Sequence, residues 1–435
     1  MILRNEEQMS RIAIEEIQLT RLKSVVNRVY EKIPHYRAKM EELDIKPKDI
    51  RTLDDLKLLP FTNKQDLREN YPFGLFAVPK SELVRIHASS GTTGKSTVVG
   101  YTKNDIKIWS ELAGRIAAAG GAKKEDIAQI CFSYGMFTGG LGLHYGLEHL
   151  GVTVCPSSAG NTEKQIMFMK DFKTTILVST PSYALRIAEV AKTMGIDPSK
   201  DLNIRIGLFG GEGMSEAMRS EIYRLWGNHI KVTQNYGMSE LIGPGVSGEC
   251  LKLSGMHIQE DHFIPEIIDP NTGEVLPPGS TGELVITCMT KEALPLIRYR
   301  TRDISSLTYA PCECGRTNAR MQNISSRIDD MLIIRGVNVF PSQIEEVLFK
   351  FPEISPHYQI VLDRKNYLDT IEINVELTEG LQLYSSDVLK NLRAAIKRNL
   401  RIVLGINTTI NILEPNSLPR FEGKAKRIID KKKNA

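Results

Sequence analysis

Ser89-Ser90-Gly91-Thr92-Thr93-Gly94-Lys95-Ser96-Thr97 runs directly into the β-prone pair Val98-Val99. Glycines without a Cβ let backbone N–H groups approach phosphate oxygens, while the hydroxyls and Lys95 add donors and positive charge. The run therefore suits a polyphosphate ligand. Its ending, Gly94-Lys95-Ser96, imitates a Walker A loop, but Ser89 stands where the first glycine of Gly-x4-Gly-Lys-[Ser/Thr] is required. Taken alone, the run also reads as a flexible polar loop between two strands. The rest of the chain decides between these readings.

Further along, in order, come Tyr236-Gly237-Met238-Ser239-Glu240, Tyr299-Arg300-Thr301-Arg302-Asp303, Arg327-Ile328-Asp329-Asp330 and Gly423-Lys424-Ala425-Lys426-Arg427. Ordered motifs over one chain are far more specific than any motif alone. Together they resemble the adenylate-forming enzymes, the acyl-CoA synthetase and luciferase superfamily. Four further segments resemble its phenylacetate–CoA ligase branch: Leu59-Pro60-Phe61-Thr62-Asn63-Lys64, Tyr71-Pro72-Phe73-Gly74, Tyr134-Gly135-Met136-Phe137-Thr138-Gly139-Gly140 and Ile333-Ile334-Arg335-Gly336-Val337-Asn338-Val339-Phe340-Pro341.

Composition is consistent with that branch without pointing to it. With 435 residues, 41% of them hydrophobic, the chain has the length and apolar content for a globular protein of two or three domains. A net charge of +4 is small for this length and gives little support to nucleic-acid binding. The start, Met1-Ile2-Leu3-Arg4-Asn5-Glu6-Glu7, has no secretory apolar core, and no segment offers the ~18 apolar residues of a membrane span. A cytoplasmic protein without membrane partners is expected. Its 6 cysteines, spread over a long chain, argue against a disulfide framework.

The first eighty or so residues read as amphipathic helices, with Ile12, Ile14, Ile17, Leu22, Val25, Val26 and Val29 on one apolar face. From about Leu83 to Gly243, strand-like runs such as Ile127–Phe132, Thr175–Ser179 and Ile204–Phe209 alternate with helical periodicity. Such alternation predicts a parallel sheet covered by helices, with ligands beyond the carboxyl ends of the strands. After about Leu253, turns such as Asp269-Pro270-Asn271-Thr272-Gly273 between β-branched runs predict antiparallel structure. The expected fold is α/β. A large domain over residues 1–328 comprises a helical entry (1–82), an α/β core of mostly parallel sheet (83–250) and a β-rich part (251–328). A small mobile α+β domain follows over 329–435.

The resemblance implies an ATP-dependent ligase that couples an aryl acid to coenzyme A through an acyl-adenylate. A carboxylate is a poor electrophile toward a thiol because its leaving group would be oxide, and coupling to AMP supplies a better one. Two anions must meet at the α-phosphate, so positioning and preorganised positive charge do most of the catalysis. By resemblance, Ser90, Gly91, Thr92, Thr93, Gly94 and Lys95 hold the β- and γ-phosphates, and Glu240 orients Mg²⁺, for which a carboxylate oxygen is a suitable ligand. Gly211, Glu212, Asn235, Tyr236, Gly237, Met238 and Ser239 surround the adenine side. Asp303 accepts hydrogen bonds from the ribose and Arg327 donates to ribose or phosphate; a structural ion pair is the alternative for these two. Asp329 falls at the hinge between the domains, uncertain by one residue because Asp330 adjoins it. Lys424, rather than its neighbour Lys426, matches the lysine that reaches the reacting groups during adenylation.

Tyr134, Phe137, Gly139 and Gly140, with Ile242, Gly243 and Pro244, resemble segments lining the aryl pocket, where apolar walls and close backbone fit a flat ring. Ser96 and Gly213 stand where prolines are common in the family, a difference in loop stiffness. Cys250, His257, Cys312 and Cys314 form the ligand set of a tetrahedral structural zinc, with reduced thiols as the alternative. Cys131, Cys155 and Cys288 lie in apolar runs and read as core thiols. Resemblance further implies a homodimer. Two other readings compete: a related adenylating enzyme serving a carrier protein or a deazaflavin cofactor, and a non-catalytic nucleotide-binding protein of the same fold. Retention of Glu240, Asp303 and Lys424 argues against the last.

Overall fold

After a short 3-10 turn at Asn5–Gln8, the Arg11–Lys32 helix is the first long element, its first turn capped by the Ser10 hydroxyl, which accepts from the Ala13 N–H. Ile14, Leu22, Val25, Val26 and Val29 form its buried face. Each such side chain contributes about 1.5–3 kcal/mol on full burial. Ile12 does not join them. It lies two residues from Ile14, about 200° round the helix, and is 72% exposed. The computed structural model describes residues 1–89, 96–324, 326–327, 332–334, 337–365, 368–378, 386–423 and 425–431.

The strands Leu83–Ala88 and Val98–Thr102 pair antiparallel as a separate two-stranded sheet. The strands on either side of the glycine- and hydroxyl-rich run thus stand apart from the helix-covered sheet, which begins only at Ile127. That sheet has Ile127–Ile130, Thr153–Cys155, Ile176–Ser179, Ile206–Gly210 and Lys231–Met238 all parallel. Helices Lys103–Ala119, Gly139–His149, Pro181–Thr193 and Glu216–Trp226 occur between these strands or just before them. Leu177, Phe209, Tyr183, Ile187, Ile222 and Trp226 share one of its cores.

The sheet does not stop where its parallel part ends. Lys231–Met238 pairs antiparallel with Gly243–Glu249, which pairs with Met256–Ile258. Arg320–Met321, Tyr299–Thr308, Thr281–Cys288 and Phe263–Ile268 complete a single 12-stranded sheet together with the short strand Ser326–Arg327. The antiparallel region is therefore a continuation of the α/β sheet and begins at Gly243, ahead of the turn-rich stretch that announces it in the sequence. The direction changes within Ser239–Ile242.

After the hairpin Leu332–Ile334 and Val337–Val339, a four-stranded sheet has the order Thr409–Leu413, Leu368–Leu377, Ile354–Lys365, Ile428–Asp430. Helices Pro341–Leu348 and Ser386–Leu404 accompany it. Its own core contains Val339, Ile344, Ile360, Ile373, Val375, Ile396 and Leu400. This is the α+β pattern expected after Asp329. Among the described residues, no helix is long and apolar enough to cross a membrane.

Candidate active site

The Ile127–Ile130, Ile176–Ser179, Ile206–Gly210 and Lys231–Met238 strands deliver the loops at 131–138, 211–215 and 239–242, and the Thr180 start of the Pro181–Thr193 helix, to one edge of the sheet. Ligands of open α/β sheets bind beyond this carboxyl edge. Close packing of small residues makes the edge compact. A Cβ on Gly237 would lie 1.9 Å from the Gly243 carbonyl oxygen, so only glycine lets these two strands approach.

Near the end of the Lys231–Met238 strand, the Tyr236 hydroxyl donates to Asp303 Oδ2 at 2.7 Å, and Arg327 Nε lies 2.8 Å from Asp303 Oδ1. Asp303 and Arg327 also face each other in backbone register across neighbouring strands. Burial and the adjacent Asp303 carboxylate push the Tyr236 hydroxyl well above its ordinary pKa, so it remains a donor. Arg302, just before Asp303, has φ +65°, a left-handed conformation uncommon for an arginine.

Ser239 and Thr138 hydroxyls lie 2.9 Å apart, both buried, joining the Tyr236–Glu240 motif to the Tyr134–Gly140 segment. Glu240 is 4% exposed, and its backbone carbonyl accepts from Lys291 Nζ at 3.4 Å. Lys291 also stands over the Tyr101 ring, and burial lowers its pKa to about 8. Asn235 and Glu212 are committed to the scaffold. The Asn235 amide donates to the Phe209 carbonyl at 2.7 Å. One Glu212 oxygen accepts from the Ser182 N–H at 2.8 Å and from the Ser182 hydroxyl, the other from the Ala425 N–H at 3.3 Å. Gly211, next to Glu212 in the chain, has φ +81°.

Of the aryl-pocket candidates, Gly139 and Gly140 open a helix, Tyr134 Oη lies 3.0 Å from His144 Nδ1, and Phe137 is half exposed. Ile242, Gly243 and Pro244 are buried against Trp109, whose indole N–H donates to the Pro244 carbonyl at 2.7 Å. Thr138 packs beside Gly243, so the two candidate segments meet. Ser90, Gly91, Thr92, Thr93, Gly94 and Lys95 lie outside the described residues, as do Asp329 and Lys424. The ends of the Ser89–Thr97 run are nevertheless defined. Ser89 N–H donates to the Thr97 carbonyl at 2.9 Å, and both the Ala88 N–H and the His87 ring donate to the Met136 carbonyl at 3.1 Å. The run is thus anchored next to the Tyr134–Gly140 segment.

Sequence reasoning missed His87, Trp109, Thr138, Thr180, Ser182 and Lys291. Thr138 lies within the Tyr134–Gly140 segment without being singled out there, and the others belong to none of the motifs. A charged lysine within Met289-Thr290-Lys291-Glu292-Ala293 gives no local sign that it will be buried.

Away from this edge, Cys250, His257, Cys312 and Cys314 place one ligand atom each within 4.8 Å of all the others. Cys250 and Cys312 sulfurs are 3.8 Å apart, and Cys314 Sγ is 3.5 Å from His257 Nε2. A tetrahedral zinc with metal–sulfur bonds of about 2.3 Å sets its ligand atoms roughly 3.7 Å apart, so the donor set fits that ion. Burial, with Arg316 and Arg320 nearby, lowers the His257 pKa to about 3, keeping the imidazole in its neutral, ligating form. Cys131 and Cys288 are buried as expected, whereas Cys155 is partly exposed.

The AMP-binding enzyme family matches residues 19–288, and the AMP-binding enzyme C-terminal domain matches residues 336–432. The chain is 48% identical to the phenylacetate-coenzyme A ligase of Thermus thermophilus, covering 98% of each chain. It is 47% identical to the Escherichia coli phenylacetate-coenzyme A ligase over 96% of this chain and 94% of that one. In structure it is similar to a 2-hydroxyisobutyryl-CoA ligase in its postadenylation state with 2-HIB-AMP. The TM-score is 0.92 at 28% identity, over 99% of this chain and 92% of the other. Against the same ligase with CoA in the thioesterification state the TM-score is 0.72, over 98% and 91% of the chains.

Proposed function

The chain belongs to the AMP-binding enzyme family, and on that premise we propose that it joins phenylacetate, or a close arylacetic relative, to coenzyme A. The observation that carries this reading is identity near one half, over nearly the whole length, to phenylacetate-coenzyme A ligases of different bacteria. The site supports it with the paired Tyr236–Asp303–Arg327 contacts and the 236–240 turn at the sheet edge.

In the first step a carboxylate oxygen of the acid attacks the α-phosphorus of ATP, the bond to the β-phosphate oxygen breaks, and pyrophosphate leaves. In the second the coenzyme A sulfur attacks the acyl carbon, its proton is lost, and the bond to AMP breaks. No protein nucleophile takes part. Asp303 and Arg327 would engage the ribose, with Tyr236 orienting Asp303. Gly211 and Asn235 would bound the adenine, and the Gly91–Lys95 run would hold the outer phosphates. Mg²⁺ would be held by the Glu240 carboxylate, a hard oxygen donor, and would supply neutralising charge to the phosphates. Lys424 would contact the reacting groups in the adenylation pose only, the small domain turning about a hinge near Asp329 for thiol transfer. Tyr134, Phe137, Gly139 and Gly140, facing Ile242, Gly243 and Pro244, would form the aryl pocket.

A structural zinc on Cys250, His257, Cys312 and Cys314 belongs to the same reading: four protein ligands close the tetrahedron and leave no position for substrate. A cytoplasmic homodimer is carried over from the family resemblance; light scattering on the purified protein tests the dimer.

The deciding experiment measures acid-dependent pyrophosphate release with and without coenzyme A across arylacetic, benzoic and fatty acids. Phenylacetate should give the highest kcat/KM, and coenzyme A should convert slow release into steady turnover. Release that ignores coenzyme A would favour a carrier-protein loader. Absence of acid-dependent release would leave a nucleotide-binding protein without this chemistry. Lys424→Ala should abolish pyrophosphate release while thiol transfer from supplied phenylacetyl-adenylate continues.

A further inference from the structure

We propose that Thr180 and Glu212 are positioning residues for adenylation: from two loops of the large sheet they hold Gly423 and Ala425, the residues on either side of Lys424. The Thr180 hydroxyl donates to the Gly423 carbonyl at 3.2 Å. The Ala425 N–H donates to a Glu212 carboxylate oxygen at 3.3 Å. One residue earlier, the Thr162 hydroxyl donates to Glu422 at 3.2 Å. Gly423 and Ala425, the neighbours of position 424 on either side, are thus both held by the large sheet.

Both holding groups are themselves fixed. Thr180 is the cap of the Pro181–Thr193 helix, its oxygen accepting from the Tyr183 N–H while its own proton serves Gly423. Glu212 is anchored through its other oxygen by the Ser182 N–H and hydroxyl. Groups locked by their own partners impose geometry at little further ordering cost. The carboxylate of the Gly-Gly-Glu loop is accordingly engaged with the small domain and Ser182, a different use from a wall for adenine.

The arrangement in which these contacts form is similar to the postadenylation state of a ligase, at TM-score 0.92, and differs from the thioesterification state of the same ligase, at 0.72. A clasp that forms in the first arrangement only would act on one half-reaction. This assignment rests on Lys424 serving adenylation, which Lys424→Ala tests by itself. If that variant loses both half-reactions equally, the two-pose reading has failed, whatever Thr180 and Glu212 do.

The experiment compares Thr180→Val, Glu212→Ala and Glu212→Gln in the full-length enzyme. Single-turnover pyrophosphate release is read with phenylacetate and ATP, and thioester formation with supplied phenylacetyl-adenylate and coenzyme A. Loss of one hydrogen bond to a charged or fixed partner should slow release roughly ten-fold in Thr180→Val and Glu212→Ala. Thioester formation should stay within about two-fold, and melting temperatures should separate folding effects from kinetic ones. Glu212→Gln has one acceptor oxygen where the carboxylate uses two, so it can serve Ala425 or Ser182 but not both, and should recover only part of the rate. Thr180→Val also removes a helix cap, so if it misfolds the Glu212 pair carries the test. Equal loss of both half-reactions in Glu212→Ala, unchanged release, or a raised KM for ATP with unchanged kcat would overturn the assignment.

Discussion

Tyr236 and Asp303, 67 residues apart in the chain, meet through a 2.7 Å hydrogen bond that joins the parallel part of the sheet to its antiparallel part. Arg327 approaches the other carboxylate oxygen, so Asp303 is held from both sides. A hydrogen bond to a charged group is worth about 1.5–3 kcal/mol. Tyr236→Phe should therefore raise the KM for ATP about ten-fold while the fold persists. Asp303→Ala leaves the Tyr236 hydroxyl and the Arg327 guanidinium without this shared partner, and should lower kcat/KM for adenylation about a hundred-fold. Steady-state pyrophosphate release checks both, and a Tyr236→Phe enzyme with wild-type KM would contradict the role given to this pair.

Gly237→Ala should be far more damaging than its size suggests. The new methyl carbon would stand 1.9 Å from the Gly243 carbonyl oxygen, so the two strands must part and carry Tyr236 and Glu240 with them. Backbone cannot yield as a flexible side chain does, and a loss of stability of roughly 2–4 kcal/mol is expected. Urea unfolding measures it. Activity near wild type would mean that the close approach is not maintained in solution.

The Cys250–His257–Cys312–Cys314 cluster should hold one zinc per chain, measurable by elemental analysis of protein purified without chelator. Replacing Cys312 and Cys314 with serine should lower metal content and melting temperature together, because zinc binding contributes folding free energy. Adenylation by molecules that remain folded should be little changed. Zinc-free protein with unaltered stability in the double variant would return these residues to ordinary thiols.

Asp66 sets an acid limit on stability. Burial opposes its ionisation, but hydrogen bonds from His35, Lys39 and the Asn63 N–H outweigh that, holding its pKa at about 2 against an ordinary 3.8. The unfolded chain therefore takes up this proton first as pH falls. The contribution, about 2 kcal/mol, is complete well above pH 4 and is lost between roughly pH 4 and pH 2. Asp66→Asn should be destabilised at pH 7 and approach wild type near pH 2. A constant difference in urea-unfolding free energy across that range would refute the linkage.

Much of this was legible along the chain. The apolar spacing from Ile14 to Val29 marks a buried helical face because side chains three and four apart share a side; Ile12 misled only because it was counted into the face by composition rather than by angle. The motif order placed Tyr236, Glu240 and Asp303, and the α+β pattern after residue 329 followed from β-branched runs and one long helical period. Gly243–Glu249 was hidden: Gly243-Pro244-Gly245-Val246-Ser247-Gly248-Glu249 has none of the alternation of a strand. It is a strand because neighbours on both sides satisfy its backbone hydrogen bonds.

By itself the sequence determined the family, the order of its motifs and the local elements that carry them, since periodicity, turn chemistry and motif spacing act over a few residues. Tertiary structure alone decided which of those elements meet. It set the strands on either side of the Ser89–Thr97 run in a two-stranded sheet of their own and made one sheet of two directions. Pairing Met256–Ile258 with Arg320–Met321 drew Cys250 and His257 to Cys312 and Cys314. The same packing set Thr180 and Glu212 against Gly423 and Ala425, 243 and 213 residues away. The reason is physical: a contact over such separations has no local propensity behind it, and it exists only because packing the cores of both domains fixes where their loops end.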